Sequence, residues 1–172
     1  MKRLRSNIVL VGMPGSGKST VGVILAKLLS YAFVDTDFLI QTSQKCSLQD
    51  IIDRDGHVAL RKVEEDVLLN IDNHNHVIAT GGSAVYSNCG MAHLKTIGIV
   101  VFLEVDLASL EMRIRNFDMR GLAKRPEQSL ADLFAEREPL YKKYADLMVN
   151  CSAPTQEEVC AKIIEKIESY NR

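Results

Sequence analysis

The stretch GMPGSGKS, residues 12–19, decides how this 172-residue chain is interpreted. It matches the pattern G-x-x-x-x-G-K-[ST] of a phosphate-binding loop. The apolar run NIVLVG, residues 7–12, precedes it as a candidate buried strand, and a helical pattern follows at residues 19–29. The specified features of the motif coincide with a strand and a helix, which argues against a chance glycine turn. The stretch therefore predicts binding of a nucleoside triphosphate and leaves the reaction open.

The residues of this loop have separate predicted roles. Glycines let the backbone N–H groups turn towards the phosphates, and the N-terminus of the following helix adds a positive dipole. Lys18 is expected to reach the terminal phosphates, and Ser19 is expected to offer its hydroxyl to Mg²⁺. The motif residues predicted to bind the nucleotide are Gly12, Gly15, Ser16, Gly17, Lys18 and Ser19.

Further apolar runs alternate with helical patterns along the rest of the chain. Besides the run at 7–12, strands are predicted at residues 31–35, 76–80, 97–103 and 147–149. Helical patterns lie between and after these runs. Alternating strands and helices predict an α/β fold, in which helices cover both faces of a five-stranded parallel sheet.

Local signals also predict where several helices begin and break. Ser/Thr-x-x-Asp/Glu capping boxes begin at Ser47, Ser129 and Thr155. The helical region after the second strand is expected to break near Asp55-Gly56, and another helix is predicted at residues 106–115. The chain shows no internal repeat and no low-complexity linker.

Composition and charge argue against several classes of function. The chain has 47% apolar residues, 25% charged residues and a formal net charge of -1, with both signs of charge interspersed. This pattern predicts one globular domain, residues 1–172, without a nucleic-acid partner. No apolar run approaches the roughly 20 residues of a membrane span, and the first residues lack the pattern of a signal peptide. A cytoplasmic location without membrane contact is therefore expected.

Cysteines and histidines show no pattern of a metal or redox site. The four cysteines lie far apart, without a Cys-x-x-Cys pair, and are interpreted as free thiols. The four histidines have no metal-ligand spacing, so a metallohydrolase is not expected.

Two acidic residues follow the second predicted strand. Asp35 and Asp37 lie at the carboxyl end of that strand, which is the edge where open parallel sheets bind ligands. One carboxylate there can orient Mg²⁺, while the other accepts the proton of a hydroxyl that attacks the terminal phosphate. Acidic residues at a strand end are also common helix N-caps, so capping is an equal alternative for this pair.

The order of the motifs is familiar. Arg61 and Glu64 lie three residues apart on one helical face, and a glycine pair follows the third strand. With these motifs, the sequence resembles the shikimate kinases over essentially its whole length. The elements that carry the resemblance are Gly12–Thr20, Asp35 and Asp37, Arg61 and Glu64, Gly81-Gly82-Ser83, Arg120, and Arg137-Glu138-Pro139-Leu140-Tyr141.

The resemblance implies an activity and an organisation. It implies the three-layer P-loop kinase fold and ATP-dependent phosphorylation of the 3-hydroxyl of shikimate, a step of aromatic amino-acid biosynthesis through chorismate. Mg²⁺ is the implied cofactor, ATP the co-substrate, and a cytoplasmic monomer the implied form. A substrate-binding helical insert is expected at about residues 36–75 and a mobile lid at about residues 116–128.

The resemblance also implies roles on the acceptor side. Asp37 binds the reacting hydroxyl and acts as the base, and Asp35 helps Ser19 to hold Mg²⁺. Arg61 and Arg137 grip the substrate carboxylate, because paired guanidinium groups recognise this planar group with two hydrogen bonds each. Solvated helix positions or ion pairs with nearby glutamates are the alternative for these arginines.

Further residues are assigned by the same resemblance. Gly81 and Gly82 bring backbone N–H groups close to the substrate ring. Thr20 joins the nucleotide site, and Arg113 packs on the adenine ring. Arg120 is the arginine of the lid that contacts the transferring phosphate, with Arg125 as the second choice because of its Arg-Pro dipeptide.

Some positions depart from the family pattern and leave the acceptor open. Ser83 replaces the third glycine, Gly121 stands where the family has proline, and the Leu-Leu pair of the lid is missing. A kinase of another polyhydroxy acid, such as a gluconate-like sugar acid, is therefore one alternative. A nucleotide-binding regulatory module without catalysis is another, although a base at Asp37 argues against it.

Overall fold

The computed structural model describes residues 5–114, 122–152 and 155–172. Its centre is one five-stranded sheet with the strand order β2-β3-β1-β4-β5. Every neighbouring pair is parallel, which confirms the predicted fold class. The strands are β1 (Asn7–Val11), β2 (Ala32–Asp35), β3 (His76–Ala79), β4 (Gly98–Glu104) and β5 (Leu147–Asn150).

Seven α-helices connect and cover these strands in the described part of the chain. The connection from β1 to β2 runs across the sheet in the opposite direction to the later ones. Right-handed crossovers therefore place α1 on one face and the helices between β2 and β5 on the other. The helices are α1 (Lys18–Leu29), α2 (Thr36–Gln44), α3 (Leu48–Leu69), α4 (Asn88–Ile97), α5 (Leu107–Arg113), α6 (Leu130–Tyr144) and α7 (Gln156–Tyr170), and a short 3₁₀ helix spans Ala84–Tyr86.

The sheet has a hydrophobic core that is shielded from water on both faces. The residues of β1, such as Val9 and Leu10, are fully buried, as are Val100 and Val101 of β4. Continuous apolar runs of this kind are typical of parallel strands that helices cover on both sides. A second, smaller apolar cluster lies under α2 and α3 and includes Ile40, Ile51, Leu60 and Ala123.

The predicted helix signals are mostly confirmed, with small shifts of the boundaries. All three capping boxes form reciprocal hydrogen bonds, at Ser47, Ser129 and Thr155. Gly56 interrupts α3 with a φ of 85°, where the sequence predicted a break. The helix predicted to run to residue 115 ends at Arg113, because the backbone of Ile114 leaves the helical region.

The strand order brings three loops together at the carboxyl edge of the sheet. β1, β3 and β2 lie side by side, and their carboxyl ends are aligned, with Leu10 paired to Ala79 and Ala79 to Asp35. The turns that follow these strands therefore share one corner of the molecule, beside the point where the strand order reverses. This is the location at which open α/β sheets bind ligands. No described helix is long and apolar enough to cross a membrane.

The cap of α6 offers a test of the local structure. Ser129 accepts a hydrogen bond from the Asp132 N–H at 3.1 Å, which satisfies a backbone donor at the start of the helix that carries Arg137. We expect Ser129→Ala to lower the free energy of unfolding by about 1 kcal/mol in urea titrations. Ser129→Thr keeps the cap and should unfold close to the wild type. Equal losses in both variants would show that the cap does not contribute.

Candidate active site

The glycine-rich turn after β1 has the conformation that the sequence pattern predicts. Gly15 and Gly17 adopt positive φ angles of 81° and 94°, which side chains disfavour. A Cβ at Gly15 would also lie only 2.7 Å from the Cγ1 atom of Ile114, at the end of α5. The turn therefore needs glycine both for its backbone angles and for its close packing. Its position at the N-terminus of α1 is suited to an anion.

Lys18 is buried beneath this turn. Its ammonium group donates hydrogen bonds to the carbonyl oxygens of Gly12 at 2.8 Å and Met13 at 2.9 Å. Burial lowers the pKa of Lys18 to about 8, and the negative charge of Asp37 opposes this shift. A phosphate group near the ammonium would favour its charged form, so the site gains from an anionic ligand.

Asp35 caps a helix with one carboxylate oxygen and contacts Ser19 with the other. Its Oδ1 accepts from the N–H of Asp37 at 3.0 Å and caps α2. Its Oδ2 accepts from the Ser19 hydroxyl at 2.6 Å, so the two predicted Mg²⁺ ligands lie side by side. A pair of hard oxygen ligands suits Mg²⁺, which is usually held by one or two protein groups together with substrate phosphates and water. No cluster of three or more acidic, histidine or cysteine residues that could hold a metal occurs in the described residues.

Asp37 lies in the wall between two cavities. The larger cavity, of about 410 Å³, is lined by the phosphate loop together with Asp35 and Asp37. The smaller one is lined by Asp37, Glu64 and Arg137, among others. Burial raises the pKa of Asp37, the negative charge of Asp35 raises it further, and Lys18 opposes both effects. A carboxyl group with a raised pKa is a better match to proton transfer near neutral pH than an exposed one.

The two predicted carboxylate-binding arginines converge on one backbone atom. Arg137 is 1% exposed and donates to the Ala123 carbonyl at 2.8 Å, while Arg61 donates to the same oxygen at 3.3 Å. Arg137 lines the smaller cavity, whereas Arg61 lines an adjoining one beside Ser83. Neither arginine forms an ion pair with a carboxylate of the described residues, which disfavours the ion-pair alternative.

The glycine pair after β3 lies in close contact with charged side chains of the site. A Cβ at Gly81 would lie 2.7 Å from Asp37 Oδ1, and one at Gly82 would lie 2.8 Å from an Arg137 nitrogen. The role predicted for the N–H group of Gly81 is wrong. The N–H of Gly81 donates to the buried Thr36 hydroxyl at 3.0 Å, so this N–H group does not face a ligand. Gly81 contributes space for two carboxylates and does not offer a donor.

The structure describes two of the three arginines that were considered for the nucleotide site. Arg113 ends α5 and donates to the carbonyl of Cys151 at 2.9 Å, which places it beside the segment that follows β5. Arg120 lies outside the described residues, together with residues 116–121 of the expected lid. Arg125 is exposed, contacts Glu136 at 3.4 Å and does not line the larger cavity. Thr20 does line that cavity, beside Ser19.

Comparisons with known proteins test the resemblance that the sequence motifs indicate. A family model described as shikimate kinase matches residues 14–168. The chain belongs to the shikimate kinase family. A shikimate kinase of Prochlorococcus marinus is 37% identical over 169 residues, which cover 95% of this chain and 83% of that protein. A shikimate kinase of Thermosynechococcus vestitus is 38% identical over 166 residues, with 94% of this chain and 90% of that protein covered.

A solved structure extends the family likeness to three dimensions. The shikimate kinase from Acinetobacter baumannii, determined in complex with shikimate, superposes with a TM-score of 0.89 at 33% identity. The match covers 98% of this chain and 96% of that one. The fold and its motifs are therefore those of the shikimate kinase family across almost the whole length.

Glu64 is a site residue to which the sequence interpretation assigned no role. It is 3% exposed, lines the smaller cavity, and its Oε1 has no hydrogen-bond partner. Burial raises the pKa of Glu64 to about 7, although a hydrogen bond from Ser83 opposes the shift. The spacing of Glu64 to Arg61 was the available signal, but one helical turn of spacing does not show which way a carboxylate points.

Ser83, which departs from the family's glycine, is explained by its contact with Glu64. Its backbone angles, φ -92° and ψ -2°, are open to any residue, so a side chain is tolerated there. The Ser83 hydroxyl donates to Oε2 of Glu64 in the buried interior. The extra side chain thus adds a hydrogen bond to a buried carboxyl group and does not strain the loop.

The raised pKa of Glu64 produces a pH dependence of stability with a defined sign. In the native state the Glu64 carboxyl group keeps its proton up to about pH 7, whereas in the unfolded chain it releases the proton near pH 4.5. Between these pH values the contribution of Glu64 to the free energy of unfolding therefore falls as the pH rises. The free energy of unfolding of Glu64→Gln minus that of the wild type should therefore increase as the pH rises across this window. The total change should be on the order of 3 kcal/mol. Urea unfolding at a series of pH values measures this difference.

The control for this experiment is Glu168→Gln, at the exposed end of α7. It removes one surface carboxylate without touching the site. If Glu64→Gln and Glu168→Gln show the same dependence on pH, the native Glu64 carboxyl group does not retain its proton as described.

Proposed function

We propose that this chain transfers the γ-phosphoryl group of ATP to the 3-hydroxyl of shikimate through the residues of the two adjoining cavities. ATP-dependent phosphorylation of shikimate, a step of aromatic amino-acid biosynthesis, is the reaction of the family to which the chain belongs. The observation that carries the proposal for the site is the position of Asp37. It lies in the wall shared by the phosphate-loop cavity and the cavity lined by Arg137.

The nucleotide half of the site supplies positive charge and backbone donors. We assign binding of the β- and γ-phosphates to the loop N–H groups and to Lys18, which would leave its present carbonyl partners for phosphate oxygens. Ser19 and Asp35 would hold Mg²⁺. When bound, this ion neutralises charge on the phosphates as the bond to the leaving ADP breaks.

Asp37 is assigned the role of the general base. The substrate hydroxyl loses its proton to the Asp37 carboxylate as its oxygen bonds to the γ-phosphorus, and ADP departs with the electron pair of the broken P–O bond. Burial and the neighbouring Asp35 raise the pKa of Asp37, which favours acceptance of this proton. Lys18 limits the rise, and this keeps the carboxylate form accessible.

The part of the site around Arg61 and Arg137 is assigned to binding of the substrate carboxylate. The smaller cavity measures only about 40 Å³, so its lining must move to admit a ring compound, and we assign this movement to the segment around Leu122 and Ala123. The substrate carboxylate would then replace the Ala123 carbonyl that now accepts from Arg61 and Arg137. Exchange of a neutral acceptor for a charged one strengthens both hydrogen bonds.

The remaining organisation is proposed from the family. We assign the α2–α3 region, about residues 36–75, to the substrate-binding insert and about residues 116–128 to a lid that carries Arg120. The chain is proposed to act as a cytoplasmic monomer, since one chain supplies all the described site residues. Light scattering of the purified protein measures the oligomeric state directly.

Acceptor choice is tested by coupled ADP release with shikimate, quinate, gluconate and no acceptor. We expect shikimate to stimulate ADP release far above the control, with much weaker or no stimulation by the other acids. Stimulation by gluconate alone would replace shikimate by a sugar acid and retain the kinase assignment. No stimulation by any acceptor, with intact ATP binding, would favour the non-catalytic nucleotide-binding module.

Asp37→Asn tests the base. Because the amide cannot accept the proton, we expect kcat to fall by roughly 10²–10⁴-fold. The affinity for ATP, measured by calorimetry, should stay within about twofold, since phosphate binding is assigned to the loop and Lys18. Asp53→Asn, at an exposed position of α3, is the matched control with normal turnover. Near-normal kcat in Asp37→Asn would remove this residue from the base role.

A further inference from the structure

Two positively charged side chains meet beside the acceptor cavity. Arg61 and Arg137 donate to the same carbonyl oxygen; burial lowers the pKa of Arg61, and the positive charge of Arg137 lowers it further. Neither has an ion-pair partner among the described carboxylates. The Ala123 carbonyl is one shared acceptor that holds the two guanidinium groups together before a substrate arrives, and a second contact lies beside it.

The ring of Tyr86 lies against both guanidinium groups. The central carbon of Arg61 is 3.6 Å from the ring centroid, and that of Arg137 is 5.2 Å from it. Both distances fall within the range in which the electron-rich face of an aromatic ring attracts a cation. One side chain thus attracts two groups that repel each other.

The hydroxyl of Tyr86 fixes the position of the ring. It accepts a hydrogen bond from Arg137 Nε at 3.3 Å and donates one to Oε1 of Glu136 on α6. The other oxygen of Glu136 accepts from Gln128 at 2.8 Å and from Arg125 at 3.4 Å. Burial and the bond to Glu136 raise the pKa of Tyr86, so the phenol keeps the proton that it donates.

Tyr86 belongs to the same segment as the glycine pair. It ends the 3₁₀ helix Ala84–Tyr86, and its N–H donates to the Ser83 carbonyl at 3.0 Å. A Cβ at Gly82 would lie 2.8 Å from an Arg137 nitrogen, so a side chain there would displace the Arg137 guanidinium group. The loop after β3 therefore both borders the acceptor cavity and carries the aromatic ring against the arginines.

The contacts of Tyr86 differ from those of a core aromatic residue. Its ring is only half-buried, and it packs in neither of the two apolar clusters formed by the described residues. Its described polar and cationic partners are Arg61, Arg137 and Glu136. Loss of the ring should therefore affect the arginines more than the stability of the fold.

We infer that Tyr86 is a positioning residue that holds Arg61 and Arg137 as one preformed carboxylate-binding pair, and that it thereby sets the specificity for acidic acceptors. The inference rests on the proposed function, because that function assigns the acceptor carboxylate to these arginines. Preformed donors lose less conformational freedom when they bind a ligand, so their affinity is higher. The bidentate geometry also discriminates a planar carboxylate from an uncharged group.

Kinetics of Tyr86→Phe and Tyr86→Leu test the inference. Phe keeps the ring and loses the hydroxyl, so we expect the KM for shikimate to rise about threefold. Leu also loses the aromatic face, and a rise of about tenfold is expected. For both variants kcat and the KM for ATP should stay within about twofold, because neither Asp37 nor the phosphate loop is altered. Tyr170→Phe, near the end of α7, is the matched control.

The methyl ester of shikimate separates positioning from a general structural effect. The ester presents no negative charge to the arginines, so its binding constant, measured by calorimetry, should change less than twofold between the wild type and the Tyr86 variants. Equal losses for shikimate and its ester would overturn the inference. Unchanged shikimate affinity in both variants would overturn it as well.

A double-variant cycle gives a second readout. In an Arg137→Leu background the arginine that donates to the Tyr86 hydroxyl is already absent, so Tyr86→Phe should add little further loss of shikimate affinity. Fully additive losses would show that the Tyr86 hydroxyl acts independently of Arg137. If Tyr86→Leu does not fold, the Phe variant and this cycle still decide the outcome.

The two levels of hypothesis remain distinguishable. If the wild type binds shikimate but does not phosphorylate it, the proposed function fails, and the calorimetric comparison still tests Tyr86. If the wild type phosphorylates shikimate while the Tyr86 variants match it for both ligands, the function stands and the role of Tyr86 is rejected.

Discussion

Mutual compensation of buried charges at the carboxyl edge of the sheet is the interaction on which the site depends. Lys18, Glu64 and Arg137 are almost inaccessible to water, and Asp37 is largely removed from it. Isolated, each charge would be costly to bury. Here each influences the protonation of others, since Asp37 favours the charged form of Lys18 while Arg137 favours that of Glu64. Burial still lowers the pKa of Lys18 and raises that of Glu64, so the opposite charges offset only part of the cost.

Close packing of the backbone makes this arrangement possible. The glycines after β3 leave space that Glu64, Asp37 and Arg137 fill, and Gly15 leaves space for Ile114. The parallel register of β2, β3 and β1 brings the corresponding turns to one corner. The anionic ligand expected in the larger cavity would complete the compensation of Lys18. The charged groups to which we assign substrate binding and catalysis therefore also influence one another's protonation and the stability of the fold.

Much of the fold and part of the site could be predicted from the chain alone. Continuous apolar runs predicted all five strands within one or two residues of their bounds, and the three capping boxes identified the starts of three helices. The carboxylates at Asp35 and Asp37 were placed correctly because a strand end fixes their location. The use of the Gly81 N–H was predicted wrongly, because its acceptor, Thr36, is distant in sequence.

The sequence by itself determined the strand-loop-helix unit at residues 7–29, the parallel sheet and the family, because these follow from local patterns and their order. Only the tertiary structure decided that the Ser83 hydroxyl donates to Glu64 and that the Ala123 carbonyl accepts from the arginine pair. It also decided that the ring of Tyr86 lies against both arginines. Each of these contacts joins different elements of the chain. Hydrogen-bond partners and shifts in pKa depend on such distant neighbours, and neither spacing nor composition specifies them.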